Sequence, residues 1–292
     1  MTPLRKRLLD ELRRRNYAPG TIRSYMVTFE QFRDFCGKSP TYAGAEELRR
    51  FQLHMLRKKK LAANTVAMRT SALRFLYKKV LRRADLAMDD LPLPKTERKL
   101  PTVLSPDEVR RLICSAVTPM HRAILMVLYA TGARRAEASV LKVTDIDSER
   151  MLVHIRQGKR RRDRDVPLSR SLLEALREYW LIARPAVYLF PSSTGHRGPK
   201  RPITDKVVWY AVRRAAECAG LKQKVGPHTL RHSFATHLLE SGTDLRTIQL
   251  LMGHSRLSDT TLYLQLSGRH LRAARNPLDQ LRLSPAIKGR QS

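Results

Sequence analysis

Three residues punctuate the stretch from position 227 to position 263 and leave it few ways to fold. Pro227 pre-sets the first turn of a helix. Gly242 ends that helix, and Gly253 ends a second one that Thr243 or Asp244 can cap at its start. In the first helix Leu230, Phe234, Leu238 and Leu239 form an apolar face that can bury itself. His228 and Arg231 stand at i and i+3, so an imidazole and a guanidinium point from one helix face at a shared target. His254 follows Gly253 at the carboxyl end of the second helix, and Tyr263 lies beyond it in a polar turn, SDTTLY. These are the parts of a phosphate site with a phenolic nucleophile beside it.

The charge balance agrees. Lys and Arg total 57 against 26 Asp and Glu, a net charge of +31 on 292 residues. A chain this basic needs a polyanion to offset its self-repulsion, and nucleic acid is the usual one. The excess is spread along the chain, which favours a protein that wraps its partner over one with a basic arm. No apolar run reaches the length of a membrane span, and the N-terminus lacks the apolar core of a signal peptide. Cys36, Cys114 and Cys218 are far apart and odd in number. They read as buried small hydrophobes in a reducing cytoplasm, with neither disulfides nor a zinc site.

The first ninety residues read as four amphipathic helices, Pro3 to Arg15, Pro19 to Phe35, Ala45 to Lys58 and Asn64 to Val80. Leu56 and Met68 are counted in their apolar stripes, and Leu53 lies off its stripe. Between the stripes are basic clusters at 13–15, 49–50, 57–60, 78–79 and 82–83. One such cluster is usually a solvated helix face; five on one small domain are better explained by a DNA-facing surface. The segment 89–101, DDLPLPKTERKLP, reads as an extended linker between a helical domain at 1–88 and a second domain at 102–292. The second domain opens with a capping box, Ser105 and Glu108. Helices are expected over 107–117 and 120–130, with Gly132 ending the latter and Arg134 and Glu137 starting another. A hairpin, 151–156 with 164–168, carries the basic tip QGKRRRD; helices follow over 171–182 and 205–219, and 269–283 is an amphipathic tail.

TGARRAE (131–137), the Gly-Lys at 158–159, HTLRH (228–232), LMGH (251–254) and Tyr263 occur in an order and spacing that resemble the tyrosine recombinase (phage integrase) family. One of these motifs alone is weak; five in order, ending in a tyrosine, are highly specific. The resemblance implies a mainly α fold with a small β-hairpin or sheet. Its parts would be an N-terminal four-helix SAM-like core-binding domain and a C-terminal α+β catalytic domain.

It also implies roles. Arg134 and Arg231 would fork onto the non-bridging oxygens of one phosphate, which lysine cannot do. Arg135 is the neighbour most easily confused with Arg134, and register favours 134. Lys159 would be the general acid for the leaving 5′ oxygen, its pKa lowered by positive neighbours; most of the arginines around it at the tip, Arg160, Arg161, Arg162 and Arg164, read as minor-groove or backbone contacts. Arg160 stands where the family commonly has a second Gly. His228 would accept a proton, His254 would donate a hydrogen bond to the phosphate, and Tyr263 would attack phosphorus, helped by a base and cations that favour its phenolate. LQLS after Tyr263 departs from the family's usual Thr-His. Glu137 and Asp145 would support the arginines. His54, His121, His154, His196, His232, His237 and His270 are expected to be structural, and Tyr129 and Tyr210 to lie on core stripes.

The implied reaction is strand exchange on double-stranded DNA through a 3′-phosphotyrosine link, with no metal or other cofactor. Four subunits would act on two paired sites, the tail over 271–283 docking on a neighbour, in the cytoplasm on the nucleoid. Two-metal hydrolysis fits poorly, because acidic residues are scarce and Asp145 and Asp147 lie on an ordinary turn, LKVTDID. A binding-only relic and a type IB topoisomerase are the rival readings. No separate arm-binding domain is expected. NPLDQL near the end resembles tails of integron integrases, yet 183–203 is short for their extra helix; a Xer-like or mobile-element integrase is the expectation.

Overall fold

The computed structural model describes residues 2–83, 85, 91–95, 100–156, 163–192 and 201–267. The chain divides into two compact units, Met1–Lys99 and Leu100–Ser292. The expected tip residues 157–162 and tail 269–283 lie outside the described residues, as do His196 and His270.

The first unit is built from α1 (Pro3–Arg14), α2 (Pro19–Cys36), α3 (Ala45–Leu53) and α4 (Ala63–Phe75). Prolines open α1 and α2, where a missing N–H costs nothing. The last turns of α3 and α4 widen into π-helix over His54–Lys58 and Leu76–Leu81. The core gathers Leu12, Phe32, Leu48, Phe51, Leu73 and Tyr77. Phe32 meets Phe51 edge-on at 5.2 Å, and the buried Tyr77 hydroxyl donates to the Pro40 carbonyl at 2.7 Å. Leu56 and Met68 are exposed, not buried. Met68 sits two residues from buried Val66, about 200° round the helix, and Leu56 follows buried Met55. All the basic-cluster residues except half-buried Arg83 are exposed. The stretch read as linker is partly packed: Leu91 is buried in this core, and Arg74 and Gln52 donate to the Leu91 and Pro92 carbonyls at 2.6 Å each.

The second unit is α-helical with one small sheet. Ser105 and Glu108 form the capping box of α5 (Pro106–Cys114), Ser105 Oγ accepting from the Glu108 N–H at 3.2 Å and Glu108 Oε2 from the Ser105 N–H at 2.9 Å. α6 (Pro119–Thr131) is buried on most sides and packs against α8 (Arg170–Ala183), α9 (Asp205–Cys218) and α10 (Pro227–Glu240). α7 (Arg135–Ser139) is a short helix after α6. The sheet is antiparallel in the order β1 (Ile146–Asp147), β2 (Leu152–Ile155), β3 (Arg164–Pro167), with Val153 opposite Val166. β1 forms within the segment that the sequence presents as a turn. Tyr210 is exposed beside Trp209 on α9, not on a core stripe, and Cys114 and Cys218, the last residues of α5 and α9, are exposed and not buried, with Cys36 half-buried. α11 (Leu245–Met252) is capped by Asp244, which accepts from the Arg246 and Thr247 N–H groups at 2.9 Å. α12 (Leu262–Leu266) carries Tyr263, so this tyrosine is helical and not in the polar turn. A satellite core of Ala235, Leu239, Ile248, Met252 and Tyr263 joins α10, α11 and α12. Among the described residues no helix is long and apolar enough to cross a membrane.

Gly132 ends α6 with φ +59°, and a Cβ there would lie 2.6 Å from Phe234 Cδ1 and 3.0 Å from Met252 Sδ. Gly132→Ala combines a left-handed residue with an overpacked contact, and should cost about 2–4 kcal/mol. Urea unfolding of the variant measures the loss.

Candidate active site

Arg231 projects from the second turn of α10 and is 4% exposed. Its Nη1 donates to the Gly132 carbonyl at the end of α6, and its Nη2 to the Met252 carbonyl at the end of α11, at 2.5 Å. Arg134 caps the start of α7. Its N–H donates to Glu137 Oε2 at 2.9 Å, its Nη1 to Glu137 Oε1 at 2.8 Å and its Nη2 to the Gly253 carbonyl at 3.4 Å. Arg164 opens β3; its Nη2 donates to Glu137 Oε2 and its Nε to the Leu251 carbonyl, both at 2.7 Å. The consecutive carbonyls of Leu251, Met252 and Gly253 therefore each accept from a different arginine. This suits the negative end of a helix.

His254 follows Gly253, whose φ of +59° turns the chain out of α11. Its Nε2 lies 3.1 Å from Arg231 Nη2 and its Nδ1 3.0 Å from Thr260 Oγ1. A guanidinium only donates, so Nε2 is the acceptor and the ring proton sits on Nδ1, toward Thr260. Tyr263 is 1% exposed. Its ring stacks on His254 at 6.3 Å and lies 5.9 Å from His232. His228 is exposed at the start of α10, its ring 6.4 Å from that of His232. Arg134, Arg231, His254 and Tyr263 are thus brought together, His228 stands at the edge through His232, and Lys159 lies outside the described residues.

Arg134 and Arg164 share one carboxylate here, and Arg231 feels its charge without bonding to it. Burial alone would raise the Glu137 pKa, but hydrogen bonding and charge from Arg164 and Arg134 bring it down to about 2. Arg231 falls to about 9, through burial and then repulsion from Arg134 and Arg164. Tyr263 is pushed above the usual phenol range by burial, which outweighs the opposing pull of Arg231 and Arg134. The resting phenol keeps its proton, contrary to the expectation that the nearby cations favour the phenolate.

Arg164 escaped the sequence reading, which took it for part of a backbone-contacting tip. Strand alternation carries the signal: Arg164 shares an inward face with buried Val166, and its side chain is 6% exposed. Asp145 does not brace the arginine cluster; it accepts from the Lys142 N–H at 2.9 Å and lies 2.7 Å from Arg156 Nε. Arg135 is exposed and pairs with Asp205 at 3.2 Å. Among the remaining histidines, His237 meets the Tyr129 hydroxyl at 2.8 Å, His154 lies 2.7 Å from Asp165, His54 rests on Phe35 at 5.0 Å and His121 on Tyr210 at 6.1 Å.

Burial, with His228 and Arg231, lowers His232 to about 4; burial, with Arg231 and Arg134, does the same to His254. Both imidazoles stay neutral in the folded chain at pH values where the unfolded chain has already bound the protons. Stability should be full above about pH 6.5 and fall toward pH 4, by up to about 1.4 kcal/mol per pH unit for each histidine. Urea unfolding across this range measures the slope, and His232→Gln should remove one histidine's share.

Residues 102–270 match the Phage integrase family, and residues 4–84 match the Phage integrase, N-terminal SAM-like domain. The Sinorhizobium fredii (strain NBRC 101917 / NGR234) protein y4qK is 43% identical over 282 residues, covering 96% of this chain and 90% of that one. Tyrosine recombinase XerA of Thermococcus kodakarensis is 36% identical over 260 residues, 88% of each chain. The crystal structure of XerH site-specific recombinase bound to palindromic difH substrate, in a post-cleavage complex, superposes with a TM-score of 0.70 at 25% identity, covering 89% of this chain and 80% of that one. By sequence over both units and by fold, the chain belongs to the phage integrase family of tyrosine recombinases, whose members break and rejoin DNA at specific sites.

Proposed function

We propose that this chain is a site-specific DNA recombinase in which Tyr263 is the nucleophile. Its Oη forms a bond to the scissile phosphorus as the bond to the 5′ oxygen breaks, leaving a 3′-phosphotyrosine link. Lys159 supplies the proton that the departing 5′ oxygen takes up, and His228 accepts the one that Tyr263 gives up. Arg134 and Arg231 hold the non-bridging oxygens, and charge building on them is stabilised electrostatically. An anion arriving between them also favours the charged form of His254, which then donates from Nε2. A 5′ hydroxyl of the partner strand reverses the step; one phosphodiester replaces another, so no metal, nucleotide or other energy source is required.

The observation that carries this reading is the convergence of two guanidiniums, an imidazole and a buried phenol from four separated segments of chain. The raised pKa of Tyr263 adds a requirement: the phenol must give up its proton as it attacks, because the resting pocket does not hold a phenolate. The exposed basic clusters of the helical unit suit contact with phosphate backbone. We further assign a tetramer on two paired sites, working in the cytoplasm on the nucleoid.

A duplex nicked beside the scissile phosphate tests the assignment, since its freed end cannot religate. The unmodified protein should stay on the DNA in a denaturing gel, and Tyr263→Phe should leave no adduct. Arg134→Ala and Arg231→Ala should each slow adduct formation by about 10²–10³. An unimpaired adduct in Tyr263→Phe overturns the nucleophile. A shift that vanishes on denaturation marks a binder without chemistry, and relaxation of supercoils by monomers marks a topoisomerase. The mass of the complex on paired sites tests the tetramer.

A further inference from the structure

Arg164 has no place in the chemistry just described, yet it is buried at the centre of the cluster. Nine-tenths of its side chain is inaccessible, with 6% exposed. Nη2 and Nε are spent on Glu137 and on the Leu251 carbonyl, and Nη1 has no partner among the described residues. Gly253 admits the side chain: a Cβ there would lie 3.2 Å from both Arg164 Cδ and Nη1.

For folding alone this is a poor arrangement. Glu137 is already paired with Arg134, so Arg164 adds a third cation to a site with one carboxylate and lowers the pKa of Arg231. Removing one partner of a buried pair is costly when it strands a charge, but here Glu137 would keep Arg134. What Arg164 contributes is geometry. Glu137 Oε2 faces Arg164 while Oε1 faces Arg134, so the carboxylate cannot swing without breaking one of them. The Leu251 carbonyl is tied to the same guanidinium, which seats the end of α11 directly before Met252 and His254.

We propose that Arg164 is a positioning residue for strand cleavage, holding Glu137 against Arg134 and seating the end of α11 so that Arg231 and His254 face one phosphate. The proposal rests on the reading of Tyr263 as nucleophile. Misplacement on the scale of an ångström is enough to slow such a site by about 10²-fold without touching the reacting atoms.

The test is Arg164→Met on the full chain, read three ways. Its melting temperature should stay within a few degrees of the unmodified protein, because Glu137 keeps its ion pair with Arg134. Its affinity for an intact duplex site should hold within about threefold, while first-order adduct formation on the nicked duplex slows by about 10²-fold, a loss in the chemical step and not in binding. In a Glu137→Gln background the same substitution should slow cleavage by clearly less than about 10²-fold further, because the part of its effect that runs through the carboxylate is already lost. Arg164→Lys keeps a charge but cannot serve both acceptors, and should recover part of the rate. An unchanged rate in Arg164→Met overturns the proposal. So does a melting temperature that falls with the rate in both variants, or a full additional loss in the Glu137→Gln background. If the unmodified protein forms no adduct, it is the assignment of Tyr263 that fails first, and this proposal with it.

Discussion

The second unit is organised around a buried guanidinium that ends two helices at once. Arg231 donates to the last carbonyls of α6 and α11, groups that those helices cannot satisfy themselves. Both helices stop on a left-handed glycine, Gly132 and Gly253, which turns the chain away and leaves each carbonyl open to a side chain from α10. The same turns launch the neighbouring functional residues: Arg134 lies two positions after Gly132, and His254 directly after Gly253. One interaction therefore fixes the distance between two motifs more than a hundred residues apart.

Arg134 and Arg164 extend this pattern to the carbonyls on either side of Met252, and Glu137 is the one carboxylate that they share. The result is a site with more positive charge than the folded chain can neutralise. Burial first, and then this charge, depresses the pKa of Arg231 and keeps His232 and His254 neutral, and the buried Arg164 Nη1 has no partner among the described residues. In the proposed reaction a phosphate supplies what is missing. Sites that hold unfavourable charge in the absence of their ligand are where local rules of stability are expected to break.

Tyr263 shows the other side of that economy. Its ring is part of the satellite core between α10, α11 and α12, stacked on His254 and close to His232. The packing that places the phenol also removes it from water and raises its pKa. On the proposed assignment of Tyr263 as nucleophile, attack requires the proton to leave as the bond forms.

Much of this was legible in the sequence because it depends on local chemistry. Pro227, Gly132, Gly242 and Gly253 dictate where helices start and stop through their backbone preferences alone, and the Ser105–Glu108 box does the same for α5. The apolar stripes set four helices in the first unit, and the ordered motifs from Arg134 to Tyr263 carried the family. Tertiary structure decided what local chemistry cannot. Arg164 looked like one more basic residue until β3 paired with β2 and turned it inward against Glu137. Asp145 went to Arg156 and the Lys142 N–H, and Tyr210 to the surface, according to which element packed on which. The protonation of Tyr263 likewise depended on burial by residues distant in sequence. A sequence states which groups are present and how the backbone can bend near them; desolvation and the sharing of one carboxylate between two cations exist only once separate segments meet.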